Sequence, residues 1–339
     1  MTINFAINGF GRIGRTVLRS LIASSKHPNL NCVAINCGTS DFEANLHLLK
    51  YDSTYGTLVQ NIERIDSQSI SIDGKIIKFI FQNDPSHIDW NKHGVDVVFE
   101  CTGRFTKAEQ AKAHILAGAK KVLISAPSSG DVDATIVYGV NHKALKPSDQ
   151  IISIGSCTTN CLAPVAMVLN DDIGIASGFM TTIHAYTNDQ VLLDSTHHDL
   201  RRSRSATSSL IPSTTGAAKA IGLVIPELAG RLDGSSVRVP VSNVSMIELT
   251  FNSVKPTTAP EINALMQQAA ASGLQGVLGY CDQPLVSVDF KQNPLSAIFD
   301  ATLTKVIGEN GTTCKVVAWY DNEWAFSHRM LDIASILGF

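Results

Sequence analysis

The 339-residue chain predicts an α/β protein of two domains: a parallel sheet covered by helices, then an α+β domain with a largely antiparallel sheet. Three observations carry that prediction. The length is about twice the ~150 residues usual for one domain. Strand-like and helical runs alternate through the first half, as in a sheet covered on both faces. In the second half, strand-like runs follow one another with few helices between them.

The elements can be read in order. "INFAINGF" is a strand, "GRTVLRSLIAS" a helix and "NLNCVAINC" a second strand. "VDVVFECTG", "KAEQAKAHILAGA" and "KKVLISAP" repeat that order. The polar passage "NHKALKPSDQ" (141–150) is the candidate boundary by composition. After it, "FMTTIHAYT", "SVRVPV", "SMIELTFNSV", "QPLVSVDF", "SAIFDATLTKV" and "CKVVAWYD" read as strands, with a helix at "TAPEINALMQQAAASG". The tail "AFSHRMLDIASILGF" is helical again.

Composition excludes several function classes. The formal net charge is −3, from 27 basic and 30 acidic residues, and only the short "LRRSRS" is basic, so nucleic acid is not an expected partner. No apolar run approaches the ~18 residues of a membrane span. "MTINFAINGF" has neither a basic start nor a cleavage site, so no signal peptide is expected. The seven cysteines are an odd number, mostly in apolar strands, which suits reduced thiols in a cytoplasmic protein rather than a disulfide framework.

Two motifs carry chemistry. "NGFGRIG" places Gly9, Gly11 and Gly14 at G-x-G-x-x-G spacing, with Arg12 and Ile13 between them. Alone the spacing is weak and fits any glycine-rich turn. Here it follows the first strand and opens the first helix, where backbone N–H groups meet a pyrophosphate in a Rossmann domain. The acid expected about 20 residues on, for the ribose hydroxyls, is absent. Cys37 stands there instead, either as a spacer or as the loss of a repulsion against a 2′-phosphate.

The second motif is "SCTTNC". Cys157 falls where an apolar strand gives way to a helix, and a helix start stabilises a thiolate. Cys161, one turn on, reads as a core residue. Cys157-x3-Cys161 lacks the second ligand pair of a zinc site, so no metal is expected. Of ten histidines most lie in polar stretches; His184 differs because it ends the strand "FMTTI". Such a histidine is more often structural than catalytic, and spacing does not decide whether it reaches Cys157.

"INGFGRIGR", "LLKYDSTYG", "GAKKVLISAPS", "SCTTNCLAP", "TTIHAYTNDQ", "IPSTTGAAKAIG", "VRVP" and "WYDNEW" occur in one order from residue 7 to 324. Together they resemble the phosphorylating glyceraldehyde-3-phosphate dehydrogenases over essentially the whole chain. The resemblance implies an NAD(P)-binding Rossmann domain over 1–156, completed by a terminal helix at 324–339, and a catalytic domain over 157–323. It implies Cys157 as nucleophile and His184 as its acid–base partner. Thr187 and Arg238 would hold the phosphate of glyceraldehyde 3-phosphate. Ser156, Thr158, Thr215, Gly216 and Arg202 would hold the attacking inorganic phosphate. Asn322 would bond the nicotinamide carboxamide, Ser125 would lie beside its ribose, and the assembly would be a homotetramer. For Arg201 and Arg204 a solvated or subunit-contact role is equally consistent.

Some positions depart from the family's commonest pattern: Ile154 before "GSC", Phe326 near the nicotinamide, Asn83 where an arginine often flanks the adenine, and Ser195-Thr196 in the loop after His184. With Cys37 in place of the acid, NAD is expected to remain a competent cofactor and NADP to be possible. "DNEWAF" also resembles erythrose-4-phosphate dehydrogenase, the nearest rival, while "STTGAAKA" keeps the Thr-Gly that this branch tends to lose. A binding protein on the same scaffold is the rival from another class, against which Cys157, His184 and the two arginines speak.

Overall fold

The computed structural model describes residues 2–339 and divides them into two compact units. The first comprises residues up to Ile136, His142–Gly155 and Ser327–Phe339; the second comprises Val137–Asn141 and Ser156–Phe326.

The first unit is built on a nine-stranded sheet. Its centre is β1 (Ile3–Asn8), paired in parallel with β2 (Leu30–Asn36) on one side and with Val97–Glu100 on the other. α1 (Arg12–Ala23) makes the crossover between β1 and β2. Lys121–Ile124 and Ile151–Ser153 extend the parallel order. An antiparallel meander, Ile62–Asp66, Ser69–Ile72 and Lys75–Ile80, closes the other edge. β1 and β2 are almost continuously buried, as strands covered on both faces must be.

The chain changes unit within the polar passage, at Asn141/His142, but it returns there to the first unit and enters the second for good only after Gly155. Residues 142–155 stay in the first unit, because Ile151–Ser153 pairs with Lys121–Ile124. Lys121 Nζ also donates to the carbonyls of Pro147 and Asp149. The terminal helix Trp324–Ser335 passes into the same unit from Ser327 onward. There buried Asp332 accepts from His27 Nε2 at 2.7 Å and forms an ion pair with Arg329 Nη2 at 2.6 Å.

The second unit carries an eight-stranded sheet of mixed, largely antiparallel order. Ile175–Ala185 is antiparallel to Ser245–Thr257 and parallel to Leu232–Val239. Ser245–Thr257 pairs in turn with Gly311–Tyr320. Helices Cys157–Asp172, Ala217–Val224 and Ala259–Ala271 contribute Leu162, Val165, Ile221, Ile262 and Met266 to one apolar core with this sheet. The third helix starts with a capping box between Thr258 and Glu261, the signature that "TAPE" carries. "QPLVSVDF" is not a strand. Ser287–Phe290 forms a 3₁₀ turn, because the Asp289 carboxylate accepts from Val286 N at 2.8 Å and folds the segment on itself.

Candidate active site

In the first unit the glycine motif forms the turn between β1 and α1. Gly9 has φ +94°, and a Cβ there would lie 2.7 Å from Thr102 Cγ2. At Gly14 a Cβ would lie 2.2 Å from Gly9 O, so the helix packs on its own turn only through a glycine. Gly11 is different: a Cβ there would meet nothing within 4 Å. Gly11 is also the N-cap of α1 and offers no side-chain cap, and a helix start carries N–H groups and positive dipole suited to an anion. Two glycines are thus demanded by the fold, and the third opens onto space. That is the cradle a dinucleotide pyrophosphate fits.

Around this turn Arg12 donates to Asp52 at 2.5 Å and lies over the Tyr55 ring, which makes it a scaffold cation. Ile13 is the second residue of α1. Ser125 follows the strand Lys121–Ile124, and its N–H donates to Glu100 O. Cys37, at the end of β2, is buried, and burial pushes its thiol up to about 12. The donors that follow it are largely spent inside the protein. Gly38 N donates to Asn36 Oδ1 at 3.3 Å, while Ser40 N and Oγ both donate to Cys37 O. Thr39 is the exception.

In the second unit Cys157 is the first residue of the helix Cys157–Asp172. Ser156 caps it by accepting from Thr159 N at 3.0 Å. Cys157 Sγ lies 3.5 Å from His184 Nε2. The strand Ile175–Ala185 delivers His184 there, and its parallel partner Leu232–Val239 sets Arg238 directly beside it. His184 Nδ1 lies 2.6 Å from Ala185 O and 2.8 Å from Arg238 Nη1, which itself donates to Ala185 O at 3.1 Å. The shorter contact is to the carbonyl, which can only accept, and Arg238 directs its own N–H to that same oxygen, so the consistent assignment gives Nδ1 a proton, donated to Ala185 O, and leaves Nε2 to accept from the thiol.

Electrostatics set the resting state. Burial pushes the Cys157 thiol up, against the pull of Arg238. Burial and then the positive charge of Arg238 push the His184 imidazole down to about 3. A thiolate–imidazolium pair 3.5 Å apart attracts by about 5 kcal/mol at an effective dielectric constant near 20. The helix start adds about 1 kcal/mol to the thiolate. Both terms oppose the cost of burial, but the ion-pair term, the larger of the two, acts only while both partners are present.

Beneath the pair runs a chain of buried hydroxyls. Thr182 Oγ1 donates to Met246 O at 3.0 Å, so it accepts from Tyr320 Oη, which in turn accepts from Thr158 Oγ1. The Tyr320 ring meets His184 edge-on. Thr158 therefore turns its hydroxyl inward, and Ser156 spends its oxygen on the cap. Of the other residues implied for phosphate, Thr215 Oγ1 accepts from Ala217 N, and Gly216 caps the helix Ala217–Val224 with open space at its Cα. Arg202 pairs with Asp189 and lies 3.4 Å from Ser213 Oγ; burial first, and then the Arg202 charge, push the Arg238 guanidinium below its ordinary range. Thr187 closes a turn, its carbonyl accepting from Gln190 N. Asn322 is buried just after the strand Gly311–Tyr320. Among the described residues no group of three His, Cys, Asp or Glu could hold a metal ion, and all seven cysteines are free.

Sequence reasoning did not single out Tyr320 or Ser245. Both stood in quoted strands; for Tyr320 the usable signal was a hydroxyl-bearing residue ending an apolar run just before "DNEW", and for Ser245 there was none.

A pyrophosphate cradle in one unit and a thiol–imidazole pair in the other are the parts of a nucleotide-dependent oxidoreductase. Residues 3–108 match the family model "Glyceraldehyde 3-phosphate dehydrogenase, NAD binding domain", and residues 156–322 match "Glyceraldehyde 3-phosphate dehydrogenase, C-terminal domain". The plasmid-encoded glyceraldehyde-3-phosphate dehydrogenase of Cupriavidus necator is 55% identical over 337 residues, 99% of each chain. That of Pseudomonas aeruginosa is 54% identical over 99% of this chain and 98% of its own. The chloroplastic A form from Zea mays is 48% identical over 98% of this chain and 82% of its own. The chain belongs to the glyceraldehyde-3-phosphate dehydrogenase family.

Proposed function

We propose that the protein oxidises glyceraldehyde 3-phosphate to an acyl phosphate through a cysteine thioester, with NAD as cofactor. The 3.5 Å contact between Cys157 Sγ and His184 Nε2, at a helix start and beside Arg238, is the observation that carries the reading. Cys157 gives its proton to His184 and attacks the aldehyde carbon, so an S–C bond forms as the C=O π bond opens. The new alkoxide recovers a proton from the imidazolium, and the Cys157 N–H at the helix start supports the oxyanion meanwhile. His184 then withdraws the hydroxyl proton as hydride leaves the same carbon, restoring C=O as a thioester. Nicotinamide, when bound, would supply the acceptor for that hydride. Phosphate oxygen attacks the thioester, the C–S bond breaks and the thiolate returns.

Arg238 and Thr187 are proposed to hold the substrate phosphate. Ser156, Thr158, Thr215, Gly216 and Arg202 are proposed to frame the attacking phosphate, Ser156 and Thr158 through their backbone, since their side chains are engaged elsewhere. Gly9, Gly11, Arg12, Ile13 and Gly14 form the dinucleotide turn, Ser125 neighbours the nicotinamide ribose, and Asn322 meets the carboxamide.

We read the chain as a cytoplasmic homotetramer. Seven free thiols support a reducing compartment. Leu192, Leu193, Leu200 and Leu210 are more than two-thirds exposed on the loop after His184, which suits burial against a second copy. Light scattering that returned the monomer mass of 36.4 kDa at assay concentrations would remove the assembly.

A steady-state assay tests both substrate and cofactor. Glyceraldehyde 3-phosphate should give acyl phosphate only with inorganic phosphate present, and a higher kcat/KM than erythrose 4-phosphate. The reverse ranking moves the chain to the rival activity. NADP should be accepted, because Cys37 is neutral and repels no 2′-phosphate. With Gly38 and Ser40 donors committed, NAD should still be preferred, by about ten- to a hundredfold. Cys37→Asp should widen that preference through like-charge repulsion. A wild type that already rejects NADP by more than ~10³-fold makes Cys37 a mere spacer.

A further inference from the structure

Ser245 opens the strand Ser245–Thr257 and is buried to 1% exposure. Its hydroxyl accepts from Ala185 N at 3.0 Å and lies 3.1 Å from Asn322 Oδ1. A serine hydroxyl has one proton to give, and here Asn322 Oδ1 is its acceptor. Were the Asn322 amide turned round, Ser245 would accept twice and its own proton would face no acceptor. The bond set therefore fixes the amide with Oδ1 held by Ser245 and Nδ2 left as an outward donor.

The backbone around this contact is held in an unusual state. Val244 has φ +67°, rare for a β-branched residue, and such positions gather at functional sites. Two anchors hold it. The Val244 side chain is buried with Cys281, Phe290 and Ile298. Next to it, Asn243 Nδ2 donates to Asp321 Oδ1 at 2.9 Å, and the same carboxylate oxygen accepts from Glu323 N and Trp324 N. The segments flanking Ser245 and Asn322 are thus clipped together, and the turn at Val244 aims Ser245 at both the amide and the backbone one residue beyond His184.

We propose that Ser245 is a positioning residue that orients Asn322 as a hydrogen-bond donor to the carboxamide oxygen of the nicotinamide and ties it to the strand bearing His184. This rests on the reading of Asn322 as the carboxamide partner. The orientation has a chemical consequence. A cofactor that keeps the oxygen but lacks the amide NH₂, such as 3-acetylpyridine adenine dinucleotide, retains the acceptor that Asn322 needs.

The test compares wild type, Ser245→Ala, Ser245→Thr and Asn322→Ala by calorimetric NAD binding, turnover and iodoacetamide labelling. Ser245→Ala should weaken NAD binding about tenfold and lower kcat about tenfold, the loss of one oriented hydrogen bond. The aldehyde KM and the Cys157 labelling rate should stay within about twofold, which general damage to the unit would not allow. Ser245→Thr, which keeps the hydroxyl, should recover most of the loss. An NAD Kd within twofold of wild type for Ser245→Ala, with a weakened Asn322→Ala, overturns the proposal. Unchanged binding in both variants removes the carboxamide reading itself and this inference with it. Should Ser245→Ala not fold, wild type decides: binding the acetyl analogue more than tenfold worse than NAD would mean that Asn322 accepts rather than donates.

Discussion

Cys157→Ser is expected to abolish aldehyde oxidation, by about 10⁴-fold or more, the scale on which removal of a covalent nucleophile acts. The serine would occupy the same helix start, 3.5 Å from the same imidazole in the parent geometry. Its hydroxyl ionises several pH units above a thiol, however, and an oxygen ester passes its acyl group to phosphate less readily than a thioester does. Cys161 is the control. It lies one turn on, fully buried in the apolar core, and burial pushes its thiol well above the usual range. Cys161→Ser should keep turnover within about tenfold and cost about 1–2 kcal/mol of stability for a buried hydroxyl. Stoichiometric iodoacetamide followed by peptide mapping should find the label on Cys157 before any other cysteine. A Cys157→Ser enzyme retaining a tenth of wild-type turnover would exclude the thioester route.

The contrast between these two cysteines was legible in the sequence because it depends on local pattern. An apolar strand, a Gly-Ser corner and a helical run fix where the thiol falls relative to the helix start. The glycine turn was legible for the same reason, its spacing following directly from the packing of α1 on β1. Elements that fold against distant partners were not. "QPLVSVDF" alternates like a strand, yet a single carboxylate, Asp289, turns it back on its own backbone. The polar passage at 141–150 marked a change of unit but not its direction, because what ties residues 142–155 back to the first unit includes the Lys121 side chain reaching two carbonyls. The sequence does not tell that the donors of Gly38 and Ser40, just after Cys37, are taken up by Asn36 and the Cys37 carbonyl. The hydroxyl chain from Thr158 through Tyr320 to Thr182 joins three segments far apart in sequence, and no spacing rule connects them.

His184→Asn carries the other large effect, a fall in turnover of about 10²–10⁴-fold, the usual range for an acid–base group. Asparagine keeps the size and polarity of the site but cannot take the thiol proton. The pH dependence separates this role from a structural one. Burial holds the thiol up, and burial together with the Arg238 charge holds the imidazole down to about 3, so each charge needs the other. In wild type, thiolate and imidazolium support each other across 3.5 Å by about 5 kcal/mol. Removing His184 leaves the thiolate with only Arg238 and the helix start, so its apparent pKa should rise. Iodoacetamide labelling of the variant should then be slower at neutral pH and climb with pH, catching up with wild type only in alkaline solution. Arg238 itself sits 2.8 Å from His184 Nδ1, so the phosphate proposed to bind there would screen the charge that depresses the imidazole. Inorganic phosphate should therefore alter the wild-type labelling profile and leave that of His184→Asn much less changed. If the two labelling profiles against pH superimpose, His184 does not activate the thiol, and its effect on turnover must come from the hydride step alone.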